Sequence, residues 1–179
     1  IQIKNTNEPQ AEGTCICSER DVYTYPVVGV SGKLPYRRVI IEKFMLNRYL
    51  DFPTQVNKLL DSLGLHADVS IIGFDAITLY IGVEQLNGDV SKLYSRIQED
   101  LDIDACEISE PLALIGIVGE GIPIVKNLLE KVLASLRKVS IEAVSVTSGN
   151  SPLSMLVSVS EREYTEALPA LAGALTTEE

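Results

Sequence analysis

The sequence holds little of what catalytic and nucleic-acid sites are usually built from. It has a single histidine, three cysteines, and 15 Lys and Arg against 25 Asp and Glu, for a formal net charge of −10. Binding a nucleic-acid backbone requires clustered cations that displace counterions, so this balance excludes that role. One histidine gives neither a metal-ligand set nor the base of an oriented triad, and His66 is read as a loop or edge residue. Cys15, Cys17 and Cys106 are odd in number and lack a framework spacing, which points to a reducing, cytoplasmic compartment. Cys15-Ile16-Cys17 would put two thiols on one strand face, but no second Cys pair completes a zinc site, and apolar packing explains them better. Long apolar runs are missing too. The largest, such as LALIGIV, are too short to span a bilayer, so no membrane role is expected. The start, IQIKNTNEPQ, has no signal-peptide core, and a first residue of Ile points to a processed or excised piece of a longer protein.

What the sequence does have is periodicity, repeated twice. From Tyr36, YRRVIIEKFML reads as a strand. Val56, Leu59, Leu60 and Leu63 then recur at helical spacing up to Gly64. ADVSIIGFDAITLYIGV reads as two strands joined by a turn near Gly73 to Ala76. Asp89 caps a helix with Val90, Leu93, Ile97 and Leu101 on its face, and IDACEIS closes the unit as a strand. The order β-α-β-β-α restarts at Leu112, with LALIGIVG, a helix carrying Val125, Leu128, Leu129, Val132 and Leu136, and two strands around a Gly149-Asn150 turn. A last helix begins at Ser160, with Glu163 as its capping-box partner. Pro169 inside that helix predicts a kink or an early break.

The second unit lacks a fourth strand, because TTEE at the end is polar. AEGTCICSE (11–19) contains the one strand left unassigned. The expectation is that residues 13–17 fill the vacancy, with residues 1–12 a linker, 18–35 a connecting loop, 36–110 the first module and 112–179 the rest of the second. The alternative is a frayed N-terminal linker.

Few motifs carry chemistry. Gly119-Glu120-Gly121 follows a strand, but Ile124 stands where the third glycine of a dinucleotide fingerprint belongs, and Gly32-Lys33-Leu34 is not a P-loop. The glycines are read as a turn where backbone comes close to something. Asp68 begins a strand beside the Gly64-Leu65 turn. Placed near the MLNRYLDFPT break, its carboxylate and the amides of a helix N-terminus would suit an amino acid's ammonium and carboxylate. A capping or surface aspartate is the alternative.

Two tandem units of this order resemble paired ACT domains, ferredoxin-like βαββαβ modules in an α+β fold, each an antiparallel four-stranded sheet with two helices on one face. IQIKNTNEPQAEGTCI, EKFMLNRYLDFPTQVNKLLDSLGLHADV and IEAVSVTSGNSPLSMLVSVSEREYTEAL are similar to segments of the C-terminal regulatory region of aspartate kinases. The resemblance covers essentially the whole chain. It implies that the first module is inserted into the second, behind the Gly-Thr-x-Ile strand. It also implies a homodimer through the ACT domains that binds an end-product effector, lysine or threonine, and feedback-inhibits its own kinase domain. ATP and magnesium would belong to that kinase domain, so no cofactor, no metal and no catalytic residue is expected in this chain. By the same resemblance Met45 and Leu46 match the family's Met-Leu, Phe52 its aromatic, and Asp68 the aspartate that holds the effector's ammonium. Asp51 stands in place of a glycine, and Pro53 takes a usually aliphatic position. Ile72-Gly73-Phe74 replaces a Thr-Ser-Glu segment, which keeps open a second reading: an ACT pair serving only as a dimerisation scaffold.

Overall fold

The computed structural model describes residues 1–16, 21–148 and 151–176. Cys17, the Gly149-Asn150 turn and the last residues of the TTEE tail lie outside the described residues.

Elements appear in the order β1 (Gln2–Ile3), β2 (Thr14–Cys15), β3 (Gly29–Glu42), α1 (Phe52–Ser62), β4 (Val69–Ile72), β5 (Ala76–Gly82), α2 (Val90–Asp100) and β6 (Ala105–Ile108). The second half continues with β7 (Leu112–Val118), α3 (Leu128–Lys138), β8 (Ser145–Thr147), β9 (Ser154–Ser160) and α4 (Tyr164–Leu175). The local signals act as expected. Asp89 Oδ1 accepts the Lys92 amide at 2.9 Å, and Ser160 and Glu163 form a capping box ahead of α4. One expectation fails locally: Val125 precedes α3 instead of lying on its buried face. At Pro169 there is no early break, and α4 runs on to Leu175.

Seven strands form one sheet in the order β4-β5-β3-β7-β9-β8, with β6 also paired to β3. Strand β3 is the shared spine. Its second half, from Tyr36 to Glu42, pairs with β5 on one side, and its last residues pair with β6 on the other. Its first half, Gly29 to Lys33, pairs with β7. Module 1 therefore has the strand order β6-β3-β5-β4, and module 2 has the same order with residues 29–33 as its outer strand.

This corrects the expectation for residues 13–17. Thr14–Cys15 pairs with Gln2–Ile3 in a separate, exposed two-stranded ribbon. The vacancy is filled by Gly29 to Lys33, within the stretch expected to be a loop. Gly32 shows why that segment fits. A Cβ there would stand 2.5 Å from Tyr164 Cε2, so a larger residue would displace the Tyr164 ring, whose hydroxyl donates to the Gly32 carbonyl at 3.1 Å.

The register of β3 slips between Lys33 and Tyr36, leaving one extra residue on β3 around Pro35. That bulge changes the alternation of faces. Val30 and Leu34 point to the module 2 core with Ile115 and Ile117, and Val39 and Ile41 point to the module 1 core with Leu79 and Ile81. All four helices thus lie on one face. On the other face Lys33 and Tyr36 fall in phase with Leu114 and Tyr80, and Tyr36, Tyr80 and Leu114 form a third buried cluster with Val69, Ile71 and Leu156. This open face is concave. The Tyr80 hydroxyl on β5 meets Ser145 Oγ on β8 at 2.7 Å, and Ser145 bonds in turn to the fully buried Ser158 at 2.6 Å.

Removing residues 1–20 should therefore leave cooperative thermal unfolding and far-ultraviolet circular dichroism unchanged. Removing residues 1–33 takes away the outer strand that covers the β7 side of module 2, and that chain should aggregate or lose its cooperative transition.

Candidate functional site

At one end of module 1 the chain leaves β3 and crosses to α1 through residues 43–51. Lys43 anchors this loop from below. Its Nζ donates to the Asp102 carbonyl at 2.6 Å and to Asp102 Oδ2 at 2.8 Å, and sits 4.5 Å from the centre of the Tyr49 ring. The hydrogen bond that Lys43 donates to Asp102 raises the Lys43 pKa despite its burial. A second carboxylate, Asp104, accepts the Phe44 amide. Both aspartates lie just ahead of β6, so the fourth strand of the module fixes the shape of the loop. Met45 takes a left-handed backbone conformation at φ 56° and is exposed.

The candidate residues divide at this point. Leu46 and Phe52, each 2% exposed, belong to the module 1 core. Asp51 accepts from Gln55 Nε2 at 2.6 Å, one helical turn along α1. Pro53 lies in the first turn of α1, where a missing N–H costs nothing. Met45 and Asp51 alone of these five present exposed side chains. Around them lies an apolar surface: Leu50 is 91% exposed, Phe74 80% and Phe44 72%, with Ile72 and Tyr49 beside them.

Asp68 lies at the other end of the sheet. Its amide donates to the Tyr80 carbonyl, next to the start of β4 and level with the Tyr36 end of β3, whereas the loop leaves from Glu42. Six residues of strand separate these levels, about 20 Å. Within one chain Asp68 does not face the α1 N-terminus, contrary to the expectation. The misplacement has a simple cause: β4 runs antiparallel to β5, so its beginning lies beside the end of β5 and far from the loop.

Asp68 has other partners, which the sequence did not single out. Oδ2 accepts from Lys33 Nζ at 3.1 Å and from the Tyr36 hydroxyl, and Oδ1 lies 3.4 Å from His66 Nε2. Hydrogen bonds from Tyr36 and then Lys33 hold the Asp68 carboxyl below its ordinary value. Burial and the bond to Asp68 raise the Tyr36 phenol, and the hydrogen bonds with Tyr36 and Asp68 keep the Lys33 ammonium charged. The one available signal was strand alternation through GVSGKLPYRR, and the Pro35 bulge hides it.

Clefts of about 500 Å³ lie elsewhere. One is lined by Tyr25, Pro26, Val125, Leu128 and Leu175 at the rim of module 2, and another by Leu133, Leu136, Arg137 and Ile141. In the first, Gly121 donates its amide to the Pro26 carbonyl at 3.0 Å, and a Cβ at Gly119 would stand 2.1 Å from that oxygen. The two glycines let the backbone ahead of β3 lie against the β7–α3 loop.

Two predictions follow from the placement of these residues. Phe52→Ala removes a core ring and should cost about 3–5 kcal/mol in chemical denaturation. Asp68→Asn should lower the melting temperature near neutral pH. A depressed folded-state pKa contributes stability above the unfolded value, about 3.9, and loses it as pH falls through the lower folded value. The melting difference between wild type and Asp68→Asn should therefore shrink below about pH 4.

No family model matches the chain. It is 31% identical over 172 residues to Aspartokinase 3 of Bacillus subtilis (strain 168), a match covering 96% of this chain and 38% of that protein. The crystal structure of the Clostridium acetobutylicum aspartate kinase aligns with a TM-score of 0.82 at 26% identity, over 97% of this chain and 41% of that one. The regulatory subunit of aspartate kinase from Thermus flavus shares the fold, with a TM-score of 0.65 at 15% identity over 83% of this chain and 97% of that one. The chain thus spans about two fifths of the length of the first two relatives and nearly the whole of a separate regulatory subunit. By sequence along almost its full length, and by fold, the chain belongs with the regulatory region of aspartate kinases.

Proposed function

We propose that this chain is the amino-acid sensor of an aspartate kinase, which binds an end-product amino acid, lysine or threonine, and lowers the rate at which the attached kinase domain phosphorylates aspartate with ATP. The observation that carries the reading is the relationship to Aspartokinase 3 over nearly the whole chain. A neighbour of the same fold, Escherichia coli aspartokinase III, is described in complex with lysine and aspartate in a T-state. The sensing mechanism is linkage: the effector binds one arrangement of the modules better than another and shifts the population toward it. A useful shift needs about 1–3 kcal/mol of coupling.

The proposed site is shared between two copies. Strand β4 pairs only with β5 among the described residues, so it offers a free edge. Antiparallel pairing of two β4 edges about a two-fold axis sets the beginning of one strand against the end of the other. Asp68 of one copy then lies beside Ile72 to Phe74 and the 43–51 loop of its twin, which closes the separation found within one chain. The apolar surface of Phe44, Leu50, Ile72 and Phe74 supplies the buried centre of that contact. Met45, Asp51 and the first turn of α1 with Pro53 would border the ligand, and Leu46 and Phe52 would support them from the core.

One observation favours a second reading, a dimerisation scaffold without an effector: Asp68 is already engaged by Lys33 and Tyr36. The two readings separate in solution. Light scattering should give a dimer under both, and Phe74→Asp should shift it to monomer. A thermal-shift screen of the twenty amino acids should raise the melting temperature with one of them, and Asp68→Ala should abolish the rise. A dimer whose melting temperature no amino acid moves would leave the scaffold.

A further inference from the structure

Lys33 and Asp68 come from different parts of the sheet. Lys33 ends the outer strand of module 2, and Asp68 opens the edge strand of module 1. The bulge at Pro35 puts the Lys33 side chain in phase with Tyr36 on the concave face, where its Nζ stands 3.1 Å from Asp68 Oδ2 and 5.3 Å from the centre of the Tyr36 ring. A carboxylate, a phenol that donates to it and an aromatic face together make a receptor for an alkylammonium ion. In the free chain the ammonium in that receptor is the protein's own.

We propose that Lys33 is a tethered competitor for the ammonium of a bound amino acid at Asp68. It occupies Asp68 until ligand displaces it, and its release removes the ion pair that holds the end of the outer strand of module 2 against the edge strand of module 1. This rests on the reading of Asp68 as the ammonium site and adds the step by which occupancy reaches the second module. Ligand binding and loss of the Lys33–Asp68 contact are one exchange of ammonium groups, with no net change in the charge facing the carboxylate. Because Lys33 is covalently held, its effective concentration at Asp68 is high, and it sets the concentration of free amino acid needed to compete. The Tyr36 hydroxyl stays on Asp68 through the exchange and keeps the carboxylate ionised.

The test is isothermal titration of the full 179-residue chain with each of the twenty standard L-amino acids. Wild type, Lys33→Met and Lys138→Met are compared. Methionine keeps the length of the Lys33 stem, and Lys138 lies at the end of α3, so its variant reports the general effect of removing one positive charge. The amino acid that binds should bind Lys33→Met about tenfold more tightly than wild type, or bind Lys33→Met alone, with Lys138→Met close to wild type. In wild type its binding should also speed amide hydrogen exchange at Val30 to Lys33, and in Lys33→Met this acceleration should disappear. Equal affinity in wild type and Lys33→Met overturns the tethered competitor and leaves the sensor standing. Equal gains in both Lys→Met variants also overturn it, because the effect is then only net charge. If no amino acid binds any of the three, the sensor reading falls and the competitor falls with it. Should Lys33→Met melt non-cooperatively, Lys33→Gln replaces it with the same expected outcomes.

Discussion

One extra residue in β3 sets the geometry on which the rest of the molecule depends. In a strand the side chains alternate with a period of two, so a register shift of one moves every later side chain to the opposite face. Without the bulge between Lys33 and Tyr36, the halves of this 14-residue strand would present their apolar residues to opposite sides. The helices of module 2 would then lie on one face and those of module 1 on the other. With it, all four helices share a face, and the remaining face can curl on itself. A bulge also increases local twist and bends the strand, which is the curvature this concave face requires. Proline at the irregular position is compatible because a bulge leaves one residue outside the hydrogen-bond ladder.

The concave face holds the two modules together with a few polar contacts around a small apolar cluster. Tyr36 and Tyr80 are almost wholly buried, and each phenol has a partner, Asp68 in one case and Ser145 in the other. A buried phenol without a partner costs free energy, so each contact stabilises one relative position of the modules more than its neighbours. Arg38 adds to the same seam, with Glu107 on one side and the Val144 carbonyl at 3.5 Å on the other. These contacts are few and directional, unlike the broad apolar cores beneath the helices. A seam of this kind is where a small change in occupancy can change the arrangement of two otherwise rigid bodies.

The helices, their caps and the paired strands of each module were legible because each is dictated by local pattern. The 3.6-residue spacing in α1, the Asp89 cap and the Ser160–Glu163 box are short-range signals, and the folded chain uses them as read. The outer strand of module 2 was not legible. GVSGKLP carries two glycines and a proline, the composition of a loop, and its strand character comes from β7 on one side and Tyr164 above it. Gly13 to Ile16 is richer in β-forming residues but is left exposed, because a strand needs a neighbour more than it needs propensity. The site followed the same division. Leu46 and Phe52 were singled out by the family resemblance, and burial makes them core residues. Asp68 was found as a carboxylate, but its partners are 32 and 35 residues away in the chain, beyond the reach of any spacing rule.

The repeated module also shows where the two halves are not equivalent in structure. The loops after β3 and β7 are of equal length, and each contains a short 3₁₀ turn before its helix. In each module the residues leading into the fourth strand hold the loop. In module 2 the holding group is the Pro26 carbonyl, and Gly119 and Gly121 let that backbone fill the space beside the loop. In module 1 the holding groups are the side chains of Asp102 and Asp104, which fix Lys43 and the Phe44 amide from the sheet side and leave the outer surface of the loop uncovered. A backbone plug closes one copy of the loop, and a side-chain clamp shapes the other while leaving it open. Exposed apolar surface is therefore concentrated on module 1, around the open loop and the neighbouring edge strand β4. That asymmetry leaves one loop of a duplicated fold open and the other filled by backbone.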